Sequence, residues 1–276
     1  MTLRWKRQGW LGSGNALVSA LAVGALALLA GFIAIPLLSL IVWTVDREAW
    51  QAMVSPLAID ALLLSAKTTA ASMTTLLVVG TPAAYILARG SFWGKRVVNS
   101  LMDVPVVLPP SAAGIALLLA FGRMGLLGEH LSLLGISLPF TTAAVVLAEL
   151  FVATPFYVRQ AVTGFSEVAR EIEDAAMVDG ASRSTTFFRI TLPLASPALV
   201  AGAITAWARA LGEFGATIIF AGNFPGITQT VPLAIYAALE SNFNAAVALS
   251  VLVLGFAFTI ILAVRYLTRK VTEYQN

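Results

Sequence analysis

Few residues in this sequence could carry covalent chemistry. Among 276 residues it has no cysteine and a single histidine, His130. The lack of cysteine excludes disulfides, thiol catalysis and cysteine-ligated metals, and one histidine argues against a histidine-based metal site or catalytic dyad. We therefore expect no enzymatic activity, no metal and no cofactor in this chain, and the remaining polar residues point to binding or transport.

Charged residues within apolar segments are the other candidates for chemistry. Arg209 and Glu213 are four residues apart, so they share one helix face and can form an ion pair. Because an unpaired charge in a membrane is costly, such residues face a partner or a polar cavity. One interpretation is a structural pair; the other places Arg209, Glu213 and Thr217 along a substrate pathway. Lys67 and Glu149 are similar intramembrane charges, and a structural role is favoured for both.

The most polar run of the chain is DAAMVDGASRSTTFFRITLP, from Asp174 to Pro193. Acidic residues from Glu167 onward complement the positive end of a helix dipole. Gly180 permits the positive φ that commonly ends a helix, and Pro193 is tolerated at the start of the next span. Residues 167–193 therefore predict a helix, a sharp turn and a second short helix along the membrane face. The apolar contacts of that second helix would be Phe187, Phe188 and Ile190.

Long apolar segments must hold these residues in place. The chain is 59% hydrophobic and 11% charged, against about 25% charged for an average soluble domain, so most of its surface should face lipid. A spanning helix needs about 20 mostly apolar residues. We expect one all-α domain over residues 1–276, a polytopic membrane helical bundle with six transmembrane helices. The spans are expected at about 16–45, 61–87, 104–121, 140–158, 194–215 and 245–264.

Lysine and arginine are unevenly distributed around these spans. Most of the seventeen fall at the two termini, in the second–third loop and in the fourth–fifth loop, whereas the opposite side has only Arg47 and Arg123. Because cytoplasmic loops are enriched in Lys and Arg, we expect both termini and residues 167–193 in the cytoplasm. The same enrichment accounts for the net charge of +3, so no nucleic-acid partner is expected.

The run from Asp174 to Pro193 resembles the cytoplasmic signature of ABC-importer permeases. That signature has an acidic residue, two alanines, a glycine after three more residues and, nine residues later, isoleucine, any residue, leucine and proline. The matching residues are Asp174, Ala175, Ala176, Gly180, Ile190, Leu192 and Pro193. The one departure is aspartate at Asp174, where the family usually has glutamate. An interfacial helix that only fixes the fourth–fifth loop is the alternative interpretation.

This resemblance implies the type I ABC importer transmembrane-domain fold and several partners. Residues 167–193 would be the coupling segment that docks on a separate ATPase subunit. The other partners implied are a second copy of the chain, an extracytoplasmic binding protein and membrane lipid, in a bacterial cytoplasmic (inner) membrane. The sequence lacks the G-x-x-x-x-G-K-[ST] loop that holds nucleotide phosphates; GSFWGKR at Gly90 is too short and ends in arginine. ATP and Mg²⁺ would therefore bind to the partner ATPase.

Two further stretches indicate the substrate. ARALGEFGATIIFAGNFPGITQTVPLAIY, from Ala208 to Tyr236, and VVLPPSAAG, from Val106 to Gly114, are similar to the molybdate permease family. Sulfate permeases resemble the first stretch more loosely. The resemblance implies a molybdate permease, with sulfate or tungstate as alternatives. An ion-coupled secondary transporter is a further alternative, although we find neither coupling-ion ligands nor an inverted repeat.

Overall fold

The structure, a computed structural model, describes residues 16–44 and 47–273 of the chain. Within this part the chain is helical and contains no β-strand. Arg4, Lys6 and Arg7, which support the predicted topology at the N-terminus, lie outside the described residues. The helices are α1 (Ala16–Trp43), α2 (Arg47–Met53), α3 (Pro56–Arg89), α4 (Lys95–Val107), α5 (Pro110–Phe121), α6 (Gly128–Leu133), α7 (Thr142–Glu167), α8 (Arg170–Val178), α9 (Arg183–Thr186), a π turn (Phe187–Thr191), α10 (Leu192–Leu211), α11 (Gly215–Phe220), α12 (Val231–Leu239) and α13 (Phe243–Glu273).

Five helices in the described residues are long and apolar enough to cross a membrane. They cover the first, second, fourth, fifth and sixth expected spans, and several extend further than expected. The third expected span contains a shorter apolar helix, α5, of 12 residues, or about 18 Å at 1.5 Å per residue. That length is less than the roughly 30 Å hydrocarbon core. The five long helices are Val18–Trp43, Pro56–Arg89, Thr142–Glu167, Arg183–Leu211 and Phe243–Val264.

The third expected span, 104–121, is not one continuous helix. Helix α4 ends at Val107, Leu108 and Pro109 are extended with ψ of 130° and 138°, and α5 begins at Pro110. A residue that precedes proline is pushed out of the helical region, and Leu108 and Pro109 both precede a proline. The pair Pro109–Pro110 therefore divides the segment, which a hydropathy pattern alone treats as uniform.

The fifth expected span, 194–215, differs at both ends. The helix begins at Arg183, passes through the π turn and ends at Leu211. In the π turn the Leu192 N–H bonds to the Phe187 carbonyl, five residues back. Pro193 lacks an N–H, and its ring would clash with the carbonyl four residues earlier in a regular helix. The wider turn accommodates this ring. Pro193 stands at the start of α10, as expected, although α10 continues a helix that begins at Arg183.

Helix α7 is the centre of the bundle and packs against α3 and α10 over much of its length. Small residues make the approach close: a Cβ on Gly164 would lie 2.4 Å from the Ala198 Cβ, and one on Gly202 would lie 2.9 Å from the Gln160 Cβ. Membrane helices associate through such small-residue contacts because burial of apolar surface gives little driving force in lipid. The three helices therefore form a tightly packed core.

Helix α1 lies outside this core. It packs against α13, and none of the most hydrophobic 18-residue window of the helix is buried. Large apolar side chains such as Leu28 and Phe32 are 77% exposed. A surface of this kind requires lipid or another protein to cover it.

Candidate functional site

The turn at Gly180 has the hydrogen bonds of a Schellman motif. Gly180 has φ of +90°; its N–H donates to the Met177 carbonyl at 3.1 Å, and the Ala181 N–H donates to the Ala176 carbonyl at 3.0 Å. These bonds satisfy two carbonyls that the end of α8 would otherwise leave free. The structure thus has the helix end that the sequence predicts at Gly180.

A second helix starts directly after this turn. The Ser182 hydroxyl accepts a hydrogen bond from the Thr185 N–H at 3.1 Å, which is the usual role of serine at a helix N-cap. The short sequence Gly180-Ala181-Ser182 therefore stops one helix and starts the next within three residues. This gives α8 a fixed direction relative to the helix that leads into α10.

Helix α8 directs most of its side chains outward. Asp174 and Ala175 are exposed, Ala176 is half-buried, and Glu173 is the buried residue of the helix. The apolar side chains of Met177 and Val178 are also exposed, Val178 to 87%. An exposed face of mixed acidic, small and apolar residues on a short helix is a surface that another protein can cover.

The other residues of the coupling segment, 167–193, lie in the π turn and α10. Ile190, Leu192 and Pro193 are half-buried, and Leu192 packs against the core formed by α3, α7 and α10. Phe187 packs against the same core, whereas Phe188 is 65% exposed. The structure therefore separates the signature into an outward-facing part on α8 and an inward-packed part at the start of the fifth span.

Arg209 and Glu213 form the expected ion pair. The Arg209 Nη1 lies 2.6 Å from the Glu213 Oε2; the Glu213 side chain is 1% exposed and that of Arg209 is 28% exposed. Helix α10 ends at Leu211, so Glu213 lies in the following turn and not on the same helix face as expected. Its other oxygen, Oε1, accepts from the Ala216 N–H at 2.6 Å, at the start of α11. One carboxylate thus joins α10 to α11.

Thr217, the third pathway candidate, lies on α11 and is fully buried. Its hydroxyl has no hydrogen-bond partner among the described residues. Thr217 directly follows Ala216, whose N–H binds Glu213, so the three candidates belong to one connection between α10 and α11. Asn223 Oδ1 and Thr230 Oγ1 are also buried without a partner among those residues.

Glu149 has partners that sequence reasoning missed. Its carboxylate oxygens accept from the Thr68 and Ser72 hydroxyls, each at 2.8 Å, and so link α7 to α3. One turn earlier on α3, the Ser65 hydroxyl accepts from the Val231 N–H at 2.8 Å. The sequence does contain a signal for this cluster, since Ser65, Thr68 and Ser72 recur at helical spacing on one face of α3. Lys67 is exposed and does not belong to this cluster.

These features define a class of protein. A bundle of long apolar helices holds its charges in buried pairs and polar clusters, and it carries a short, capped helix with an exposed face. This is the architecture of a polytopic membrane protein with a surface on which a partner can dock.

Comparison with known proteins identifies the family. The family described as binding-protein-dependent transport system inner membrane component matches residues 80–273. The molybdenum transport system permease protein ModB of Mycobacterium tuberculosis is 43% identical over 233 residues, covering 84% of this chain and 88% of the relative. A probable sulfate transport system permease protein, cysT, of Chlorokybus atmophyticus is 32% identical, covering 80% of this chain and 78% of the relative. The chain therefore belongs to the family of ABC-importer permeases, as the signature predicts.

Comparison of the fold with a solved structure agrees with this family. A bacterial alginate ABC transporter, solved in complex with an alginate-bound periplasmic protein, has a chain that superposes with a TM-score of 0.74. The superposition covers 94% of this chain and 96% of the other, at 14% identity. It confirms the expected all-α fold of a type I ABC importer transmembrane domain, and the protein is a multi-pass membrane protein of that family.

Proposed function

We propose that this chain forms the translocation pathway of an ATP-driven importer for molybdate. The observation that supports this most strongly is the 43% identity to molybdenum permeases over 84% of the chain. The relative named as a sulfate permease is less similar, at 32% identity. Sulfate and tungstate remain the alternative substrates, because tetrahedral dianions differ little in charge.

The proposed importer contains more than this chain. It has a second copy of the chain, two copies of a separate ATPase that bind ATP and Mg²⁺, and an extracytoplasmic molybdate-binding protein. The chain itself holds no cofactor and lies in the bacterial inner membrane with both termini in the cytoplasm. The exposed apolar surface of α1 supports contact with lipid and with the second copy.

Coupling in this proposal occurs through α8. ATP binding closes the ATPase pair, which pulls on the exposed face around Asp174, Ala175 and Ala176. Because the turn at Gly180 fixes the direction of α8 relative to α9 and the π turn, this pull reaches α10 and tilts the core helices. The substrate site then opens alternately to the two sides of the membrane.

We infer that Arg209 acts first as a structural residue. Its guanidinium lies 2.6 Å from a carboxylate that is almost wholly buried, so the pair carries little net charge with which to attract an anion. The tight capture of substrate would then fall to the binding protein.

Uptake by reconstituted vesicles tests the proposed function. We expect vesicles that contain this chain, its ATPase and the loaded binding protein to accumulate molybdate only when ATP is supplied. Vesicles that contain this chain alone should show no uphill uptake, because the chain has no energy source of its own. Accumulation against a gradient by the chain alone would instead establish an ion-coupled secondary transporter.

Competition for the purified binding protein tests the substrate. We expect molybdate to displace bound radiolabelled molybdate, with tungstate competing to a similar extent because the two anions have nearly the same size and charge. Sulfate is smaller and is expected to compete more weakly. Stronger competition by sulfate than by molybdate would assign the importer to sulfate.

A further inference from the structure

An arginine at the end of α3 joins that helix to the coupling segment. Arg89 is the last residue of α3, and its Nη2 lies 3.2 Å from the Oε1 of Glu173 on α8. The same nitrogen donates to the Val168 carbonyl at 2.7 Å. The side chains of Arg89 and Glu173 are 14% and 12% exposed, so this contact is shielded from water and is weakened little by salt.

The carboxylate of Glu173 also contacts the start of the fifth span. The Thr191 hydroxyl donates to the same Glu173 Oε1 at 2.6 Å, and Thr191 is fully buried in the π turn. One carboxylate oxygen on α8 therefore binds groups from two different membrane helices. The neighbouring acidic residues, Glu171 and Asp174, are exposed and make no such contact in the described structure.

Aromatic side chains link the same helices. Tyr85 on α3 packs with ring centroids 5.4 Å from Phe165 on α7 and 4.8 Å from Phe187 in the π turn. Phe165 and Phe187 are themselves 6.1 Å apart. This group holds α3, α7 and the π turn together but contains no residue of α8. The polar side-chain contacts that connect α8 to α3 and to the π turn are those of Glu173.

We propose that Glu173 is a positioning residue that transmits movement of α8 to α3, through Arg89, and to α10, through Thr191. This proposal rests on the proposed function and identifies the contacts by which the coupling segment acts on the bundle. Directional bonds to one oxygen fix both the distance and the orientation of α8, whereas an apolar contact would allow it to slide. Without these bonds, movement of α8 would be absorbed by the turns at either end of the helix.

The matched pair Glu173→Gln and Glu171→Gln tests this proposal in the complete importer. Both substitutions remove one negative charge from α8, but only the first removes the ion pair with Arg89 and leaves a weaker, neutral acceptor for Arg89 and Thr191. The measurement is the amount of molybdate taken up per ATP hydrolysed in vesicles that hold the assembled complex. We expect Glu173→Gln to lower this ratio about five-fold, the difference expected between a hydrogen bond to a charged acceptor and one to a neutral acceptor. Glu171→Gln should leave the ratio unchanged.

Two more variants test the contact of Glu173 with Thr191 and its contact with Arg89 separately. Thr191→Val keeps the shape of the side chain and removes the bond from the π turn to Glu173, together with a long 3.5 Å bond to the Thr186 carbonyl. Arg89→Gln removes the charge that α3 contributes. Each is expected to lower the ratio of uptake to hydrolysis, while ATP hydrolysis by the assembled complex continues. They also keep the proposal testable if Glu173→Gln fails to fold.

The amount of molybdate taken up per ATP hydrolysed distinguishes a residue that transmits movement from one that only stabilises the fold. A residue that only stabilises the fold would reduce the amount of assembled complex and leave uptake per ATP unchanged, and that result for all three variants would overturn the proposal. Failure of the original protein to take up molybdate with ATP would instead count against the proposed function. The two failures are distinguishable because the second is measured without any substitution.

Discussion

Replacing Gly180 by valine is expected to abolish substrate uptake while the protein remains folded and inserted in the membrane. Gly180 has φ of +90°, where a β-branched residue is strongly disfavoured and the strain amounts to about 1–3 kcal/mol. A Cβ at this position would have no atom within 4 Å, so the substitution causes no clash in the core. The strain is relieved by turning the backbone, which redirects α8 and its exposed face.

The control for this experiment is Gly135→Val. Gly135 has φ of +74° and also has no atom within 4 Å of an added Cβ, but it lies in the connection between α6 and α7. The same strain outside the coupling segment should leave uptake close to that of the original protein. Uptake and retention of the ATPase on the purified membrane complex are measured for both variants. Normal ATPase association in Gly180→Val would contradict docking through α8.

Replacing Arg209 by alanine is expected to destabilise the protein, so that much less folded protein is present in the membrane. The substitution leaves the carboxylate of Glu213, which is 1% exposed, without its cation. Breaking a buried ion pair in this way costs about 3–5 kcal/mol, and the partial exposure of Arg209 places this case at the lower end. Arg209→Lys keeps a positive charge and should retain much more of the protein. The measurement is the amount of protein in the membrane and its thermal unfolding in detergent.

A second substitution separates the structural role of Arg209 from a role in transport. Glu213→Gln removes the buried charge, and its side-chain oxygen can still accept from the Ala216 N–H that the carboxylate binds. We expect Arg209→Ala with Glu213→Gln to recover the folded protein and to take up substrate at close to the original rate per complex. A large loss of uptake at equal amounts of protein would place Arg209 in the substrate pathway.

The sequence predicts the outline of the fold because hydropathy and helix-ending residues act locally. Long apolar runs identify the spans, and Gly180 with Ser182 predicts the turn whose hydrogen bonds the structure contains. The break at Leu108–Pro109 and the π turn before Pro193 differ from the expected helices. Both depend on which backbone hydrogen bonds a proline removes and on what the neighbouring helices allow, and hydropathy does not report either.

The site was predictable only in part for a related reason. The pairing of Arg209 with Glu213 follows from a short separation in sequence, even though Glu213 lies beyond the end of α10. Glu173 looked like one of several acidic residues near a helix start, and its burial depends on Arg89 and Thr191, which are 84 and 18 residues away in sequence. Sequence spacing cannot identify such contacts, because they form only when three separate elements pack together.

The close packing of α7 against α10 has a mechanical consequence. An added Cβ at Gly164 would overlap Ala198, so the two helices are in direct backbone contact at this point. We therefore expect α7 and α10 to move together. The freedom of movement that the proposed alternating access requires would then fall to links such as Leu108–Pro109, where extended backbone joins two separate helices.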